Sequence, residues 1–312
     1  MHGRRRFRTT AVAVAAVTLL GAGTSAGCSA GAERPPAATA APSTGTAPAP
    51  RAASSAAAAP STPVAAPWLG SPASVAAVGD SVTRAYDACG VLSDCPEASW
   101  ATGTDPAVNS LALRLLGPGR VATHSWNLAR SGSRMVELPE QMARAAAHRP
   151  ALVTVMTGAN DACRKTPDLM TPVEDFRFFF ETALARLREE SPASRVYVAS
   201  VPDLMRLWST GRLSPMAREV WKLGVCGSML AAPQDDSPAA ERRRARVQER
   251  VRAYNEVLAE VCAKDRLCRY DGGAVHAFRF DGGQLSPWDW FHPSRDGQAR
   301  LAELAYRRIT AG

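Results

Sequence analysis

The chain has 312 residues, of which 46% are hydrophobic and 21% charged, and it carries a formal net charge of +8. That charge sits mostly in the first 67 residues, where Arg4, Arg5, Arg6, Arg8, Arg34 and Arg51 face Glu33 alone, so the remainder is close to balance. A broad basic face for nucleic acid is excluded, and no aromatic-basic interleaving argues for one.

Residues 1–28 read as an export signal. Arg4-Arg5-Arg6-Phe7-Arg8 is a basic start that resembles a twin-arginine signal, and 10–20 is an apolar run too short for a spanning helix. Ser25-Ala26-Gly27-Cys28 resembles a lipoprotein processing site, with Cys28 as the residue that would carry lipid and tether the protein to a membrane. Ser25 stands where such sites usually have Leu. Residues 29–67 are an Ala/Pro/Ser/Thr stretch of linker composition, expected to be disordered. From Trp68 to Gly312 the composition is globular and long enough for one sizeable core.

In this domain the first strand expected is 75–78, which runs into Gly79-Asp80-Ser81. A helix is expected over 109–116, stopped by Gly117-Pro118-Gly119, and a second strand over 121–127, leading to Ser131-Gly132-Ser133. A helix over 138–148 precedes the most apolar strand, 151–156, which ends at Gly158-Ala159-Asn160-Asp161. Phe176, Phe179, Phe180, Ala183, Leu184 and Leu187 recur at helical spacing within a helix expected over 173–190. A strand over 195–201 stops at Pro202. Residues 202–240 read as irregular, with Trp208 and Trp221 offering an apolar flank to a pocket. A helix over 247–261, a short strand over 267–270 and a last helix from Pro293 complete the domain. Glu241 to Arg246 reads as a solvated helix face.

Strand then helix, about five times over, predicts an α/β fold with a parallel sheet and right-handed crossovers. Neither a dinucleotide-binding glycine motif nor a P-loop is present. With Cys28 set aside, six cysteines remain, and they allow 15 pairings. Pairing sequence neighbours gives Cys89–Cys95 and Cys262–Cys268 and leaves Cys163–Cys226, as an oxidising compartment would favour. A zinc site is not expected, since there is no close Cys/His cluster.

Three of the strands end in polar, glycine-bearing turns, and a parallel sheet puts all three on one edge. Asp289-Trp290-Phe291-His292-Pro293 supplies an Asp and a His three apart, just before the last helix. Acyl transfer needs these parts. Ser81 would attack a carbonyl, His292 would take its proton, and Asp289 would orient the imidazole. The backbone N–H groups of Ser81 and Gly132 and the Asn160 side-chain amide would meet the oxyanion. His124, His148 and His276 read as ordinary structural residues.

The four pieces resemble, in order, the four motif blocks of the SGNH (GDSL-type) hydrolases, whose active-site Ser, Gly, Asn and His fall here on Ser81, Gly132, Asn160 and His292. Asp289 takes the place of the Asp three before the His. Block one reads Gly-Asp-Ser-Val in place of Gly-Asp-Ser-Leu. The resemblance implies a three-layer α/β/α flavodoxin-like fold with a five-stranded parallel sheet. It also implies ester hydrolysis without metal or cofactor. The cysteines and the long apolar insertion further resemble secreted actinobacterial lipases and esterases of that family.

The expectation is thus a secreted or surface-tethered esterase or lipase, monomeric, acting on lipid or small acyl esters and not on nucleic acid. The acyl chain would lie along 202–240. Alternatives are a carbohydrate or polymer acetyl esterase, an acyltransferase of the same fold, and an inactive binding protein. Intact Ser81, Asp289 and His292 argue against the last.

Overall fold

The computed structural model describes residues 68–311. The export signal over 1–28, lipidation of Cys28 and the linker over 29–67 lie outside the described residues. Five strands form one sheet: β1 (Val75–Gly79), β2 (Ser125–Asn127), β3 (Leu152–Met156), β4 (Arg195–Val198) and β5 (Cys268–Tyr270). Every pairing is parallel and the order is β2-β1-β3-β4-β5. The order turns back between β1 and β3, and ligands of such sheets gather at that point, beyond the strand C-termini.

Side-chain alternation along the strands divides the core into two layers. Ala76, Val78, Val153, Val155, Val196 and Val198 face one layer, roofed by the helices Leu138–Ala146, Val173–Glu190 and Pro238–Ala263. Val75, Ala77, Leu152, Met156 and Tyr197 face the other, under Leu111–Leu116 and Arg295–Thr310. The Phe176 stripe is core, as its spacing predicts, with Phe179 only partly buried.

Four local expectations need correction. Residues Val121–His124 form a helical turn, so only Ser125–Asn127 is strand. The strand expected over 195–201 ends at Val198. The section over 202–240 is largely helical, with Leu204–Gly211, Pro215–Trp221 and Gly227–Leu230. The next helix starts at Pro238, well before 247. The reason is local capping. Asp203, Ser214 and Ser237 each accept a hydrogen bond from the backbone N–H three residues on, and Pro215 and Pro238 occupy first-turn positions.

The solvated face expected over 241–246 is also incomplete, because Arg244 is only 2% exposed. Its guanidinium lies 4.1 Å from the centre of the Trp208 ring, which Arg212 also covers at 4.4 Å. Arg212 in turn grips Asp236 with two hydrogen bonds of 2.8 Å. The insertion is thus clamped to the long helix through a tryptophan. Its exposed apolar side chains are Leu213, Met216 and Leu223, not its tryptophans.

The disulfides are Cys89–Cys95, Cys163–Cys226 and Cys262–Cys268. The second joins the turn after β3 to the insertion, and Ser228 reinforces the junction by donating its hydroxyl to the Ala162 carbonyl at 2.7 Å. Among the described residues no helix is long and apolar enough to cross a membrane.

Candidate active site

Gly79 ends β1 with φ +139°, and a Cβ there would lie 2.0 Å from the Met156 carbonyl oxygen. Only glycine lets β1 and β3 finish this close before the chain turns into Asp80 and Ser81. The Val82 N–H then donates to the Asp80 carboxylate at 3.0 Å, which tightens the turn. Burial pushes the Asp80 carboxyl up to about 7, against the Val82 N–H and His292, both of which favour the ionised form.

Ser81 Oγ lies 2.8 Å from His292 Nε2, and His292 Nδ1 lies 2.5 Å from Asp289 Oδ2. The other carboxylate oxygen, Oδ1, accepts the backbone N–H groups of Phe291 at 2.9 Å and His292 at 3.0 Å. Burial opposes ionisation of Asp289, but the His292 bond and these two N–H groups outweigh it and hold the carboxyl below its ordinary range. The series can pass the hydroxyl proton to Nε2 while Nδ1–H keeps donating its hydrogen bond to the carboxylate.

The loop carrying His292 is fixed from two sides. Trp221 of the insertion donates its ring N–H to the Asp289 carbonyl at 3.0 Å. Gln298 on the last helix accepts from the Trp100 N–H at 2.9 Å and donates to the Val82 carbonyl at 2.9 Å. The last helix therefore docks on the residue next to Ser81.

The turn bearing Gly132 follows β2, beside β1. Gly132 has φ +80°, and the space a Cβ would occupy there is open, so backbone conformation rather than crowding calls for glycine. The Asn160 amide donates to the Ser133 carbonyl at 3.0 Å, which brings the turns after β2 and β3 together. Among the described residues, the N–H groups of Ser81 and Gly132 donate to no protein acceptor. Asp161 underpins the same junction by accepting the Met135 N–H at 2.9 Å and the Thr171 hydroxyl at 2.7 Å.

Reasoning from sequence missed Gln141. This buried side chain accepts from the Gly79 N–H at 2.7 Å and donates to the Gly79 carbonyl and Ser133 Oγ, both at 3.0 Å. It locks the end of β1 to the turn of Gly132. Its one signal was a polar residue on the apolar face of a helix. Gln141→Leu leaves these buried groups unpaired and is expected to lower the melting temperature by about 5 °C or more. Thermal unfolding followed by circular dichroism checks this, and an unchanged melting curve would contradict the assigned role.

The other histidines lie apart from this group. His148 stacks on Trp126 and His276 bonds the Val201 carbonyl. Cys89, Cys95 and Glu97 are close together, but the two sulfurs are bonded to each other and leave no thiolate for a metal.

The sheet order defines an α/β/α fold, and Ser81, His292, Asp289, Gly132 and Asn160 lie at its turning point. The family model described as GDSL-like Lipase/Acylhydrolase matches residues 75–305, and the chain belongs to that family. It is accordingly a hydrolase acting on esters. Solved structures similar to it include the crystal structure of TesA, 17% identical with a TM-score of 0.44 over 76% of this chain and 97% of that one. The extracellular lipase from Streptomyces rimosus is 18% identical, with a TM-score of 0.41 over 74% of this chain and 99% of that one. The psychrotrophic esterase EstA from Pseudoalteromonas sp. is 12% identical, with a TM-score of 0.41 over 76% and 96%. No curated protein matches the chain.

Proposed function

We propose that the protein is an exported serine esterase or lipase that cleaves carboxylic esters through an acyl-enzyme. The observation that carries this reading is the hydrogen-bonded series from Ser81 Oγ to His292 Nε2 at 2.8 Å and from Nδ1 to Asp289 at 2.5 Å. Ser81 Oγ attacks the ester carbonyl carbon as His292 takes its proton. The negative charge on the tetrahedral intermediate meets the Ser81 and Gly132 N–H groups and the Asn160 amide. Each such donor is worth about 100- to 1000-fold in kcat. Collapse expels the alcohol, which receives the proton from His292. Water then repeats the sequence on the acyl-enzyme and regenerates Ser81. No step calls for a metal or cofactor.

A small, mostly apolar cavity of about 40 Å³ supports an apolar acyl group. Val82, Ala159 and Phe291, the sequence neighbours of Ser81, Asn160 and His292, line it together with Leu204, Leu207 and Pro293. The start of the insertion supplies part of this cavity's wall, with Asp203 and Arg206 beside the leucines, and the loop around Phe278 and Phe280 supplies more. A polymer-bound acetyl ester is the second reading, distinguished by chain length.

Three disulfides among the described cysteines support an oxidising destination. With the basic and apolar N-terminus, they favour residues 1–28 as export signal, 29–67 as linker and 68–312 as the hydrolase domain. Cys28 is proposed as a lipid anchor.

The test is hydrolysis of p-nitrophenyl esters from acetate to palmitate by the full exported protein and by its Ser81→Ala variant. Turnover on the acyl ladder, abolished in the variant, is expected. Undiminished turnover by Ser81→Ala would remove the serine mechanism, and a preference for acetate alone would favour the second reading.

A further inference from the structure

A second carboxyl group is buried behind the His292 loop. Asp87 is 1% exposed and has φ +57°, an unusual conformation for a residue with a side chain. Its main chain is held at both ends. The Asp87 N–H donates to the Ser93 carbonyl at 2.9 Å, and its carbonyl accepts the Ser286 hydroxyl at 2.8 Å. Ser286 belongs to the segment that carries Asp289 and His292, so this bond presses Asp87 against that loop. One carboxylate oxygen of Asp87, one of Asp289 and a ring nitrogen of His292 all lie within 4.8 Å of one another. Asp87 Oδ1 is buried and has no hydrogen-bond partner.

Two buried carboxylates this close disfavour one another's ionisation. The environment decides which keeps the proton. Asp289 is served by an imidazole N–H and two backbone N–H groups. Asp87 is raised by burial and then by the charge on Asp289, with the Leu92 N–H and His292 pulling the other way. The other charged or titratable groups nearby do not change this choice. Tyr86, whose ring lies 5.0 Å from that of His292, is itself pushed up by burial and the surrounding aspartates. Asp94 is paired with Arg84 at 2.9 Å, and Arg295, which reaches Cys89 Sγ at 3.4 Å, is paired with Asp105 at 3.4 Å.

We propose that Asp87 is a positioning residue of the relay, remaining protonated at working pH and donating its O–H to the Asp289 carboxylate. This rests on the reading of Ser81, His292 and Asp289 given above. The extended series then carries a single negative charge, shared between Asp87 and Asp289. The donated O–H fixes the Asp289 carboxylate and lowers its basicity, so the Nδ1 proton stays on His292. When Asp87 ionises at higher pH, the hydrogen bond becomes a repulsion between two carboxylates. The added charge also tightens the hold of His292 on its proton. Both changes oppose catalysis, so activity falls on the alkaline side.

The experiment compares Asp87→Ala and Asp87→Asn in the full exported protein, with pH profiles of kcat/KM and infrared difference spectra against wild type. Asp87→Ala is expected to lower kcat about 10- to 100-fold with KM within about twofold. Asp87→Asn keeps a neutral donor and is expected to recover most of that loss. It should also extend activity to higher pH than wild type. The wild-type-minus-Asn spectrum should contain the C=O band of a protonated carboxyl.

An Asn variant as slow as the Ala variant, or an alkaline limb unmoved by Asn, would overturn the proposal. So would absence of the carboxyl band, which is read without turnover and holds even if Asp87→Ala fails to fold. Full activity of Ser81→Ala would instead overturn the serine mechanism, whatever the infrared result.

Discussion

Asp289→Asn is expected to lower kcat by about 10⁴-fold while leaving KM nearly unchanged. The size follows from where the two carboxylate oxygens point. Oδ1 accepts the backbone N–H groups of Phe291 and His292, at 2.9 and 3.0 Å. In the variant the amide oxygen takes that position, because an NH2 group there would face two donors. The NH2 group is then left facing His292 Nδ1 and donates to it. Nδ1 must act as acceptor, so the ring proton moves to Nε2. An Nε2–H directed at Ser81 Oγ donates to the hydroxyl and has no lone pair to take its proton. The side chain keeps its shape and the fold keeps its stability, yet the base is in the wrong tautomer. Steady-state kinetics on a p-nitrophenyl ester, with circular dichroism as the folding control, measure this. A loss under about tenfold would mean that Asp289 does not set the tautomer.

The double replacement Cys163→Ser, Cys226→Ser is expected to cost about 4 kcal/mol and to lower the melting temperature by about 10 °C. The sequence separation of 63 residues sets the scale, because opening the loop restores chain entropy to the unfolded state. The two disulfides with a separation of only 6 close short loops and are worth about 2 kcal/mol each on the same argument. The native junction does not depend on the sulfurs alone. The Ser228 N–H reaches the Arg164 carbonyl and its hydroxyl the Ala162 carbonyl, both at 2.7 Å. The replaced protein should therefore refold with its insertion in place, less stable but active. Thermal unfolding of the three separate double replacements tests the ranking. Equal melting temperatures for the long-loop and short-loop variants would contradict the entropic account.

The parts of the molecule visible in sequence are those where one residue type is forced by geometry. Gly79 and Gly132 occupy backbone conformations that favour glycine, and an apolar run precedes the first of these turns. At Gly79 the strand and turn signals agree with one another. The insertion was hidden because its helices are short and its apolar residues follow no sustained period. Ser214-Pro215 and Ser237-Pro238 were nonetheless in view as helix starts, an N-cap followed by proline. Arg244 misled because a charge run hides a guanidinium buried on a tryptophan. At Val121–His124 the β-branched residues suggested strand, but the turn hydrogen bonds to Gly117 and Arg120 wind it into a helix. Asp87 could not be read at all. It belongs to no motif, and neither its positive φ nor its proximity to Asp289 is encoded in any spacing along the chain.

Ser81 and His292 are 211 residues apart in the chain. The proposed nucleophile precedes its proposed base in the chain, and the helix that seats the base, Arg295–Thr310, follows it and docks through Gln298. A nascent chain, a prematurely terminated product or a fragment clipped ahead of His292 holds a serine with nothing to take its proton. On the proposed mechanism, esterase competence therefore requires the helix Arg295–Thr310 to pack against Val82 through Gln298.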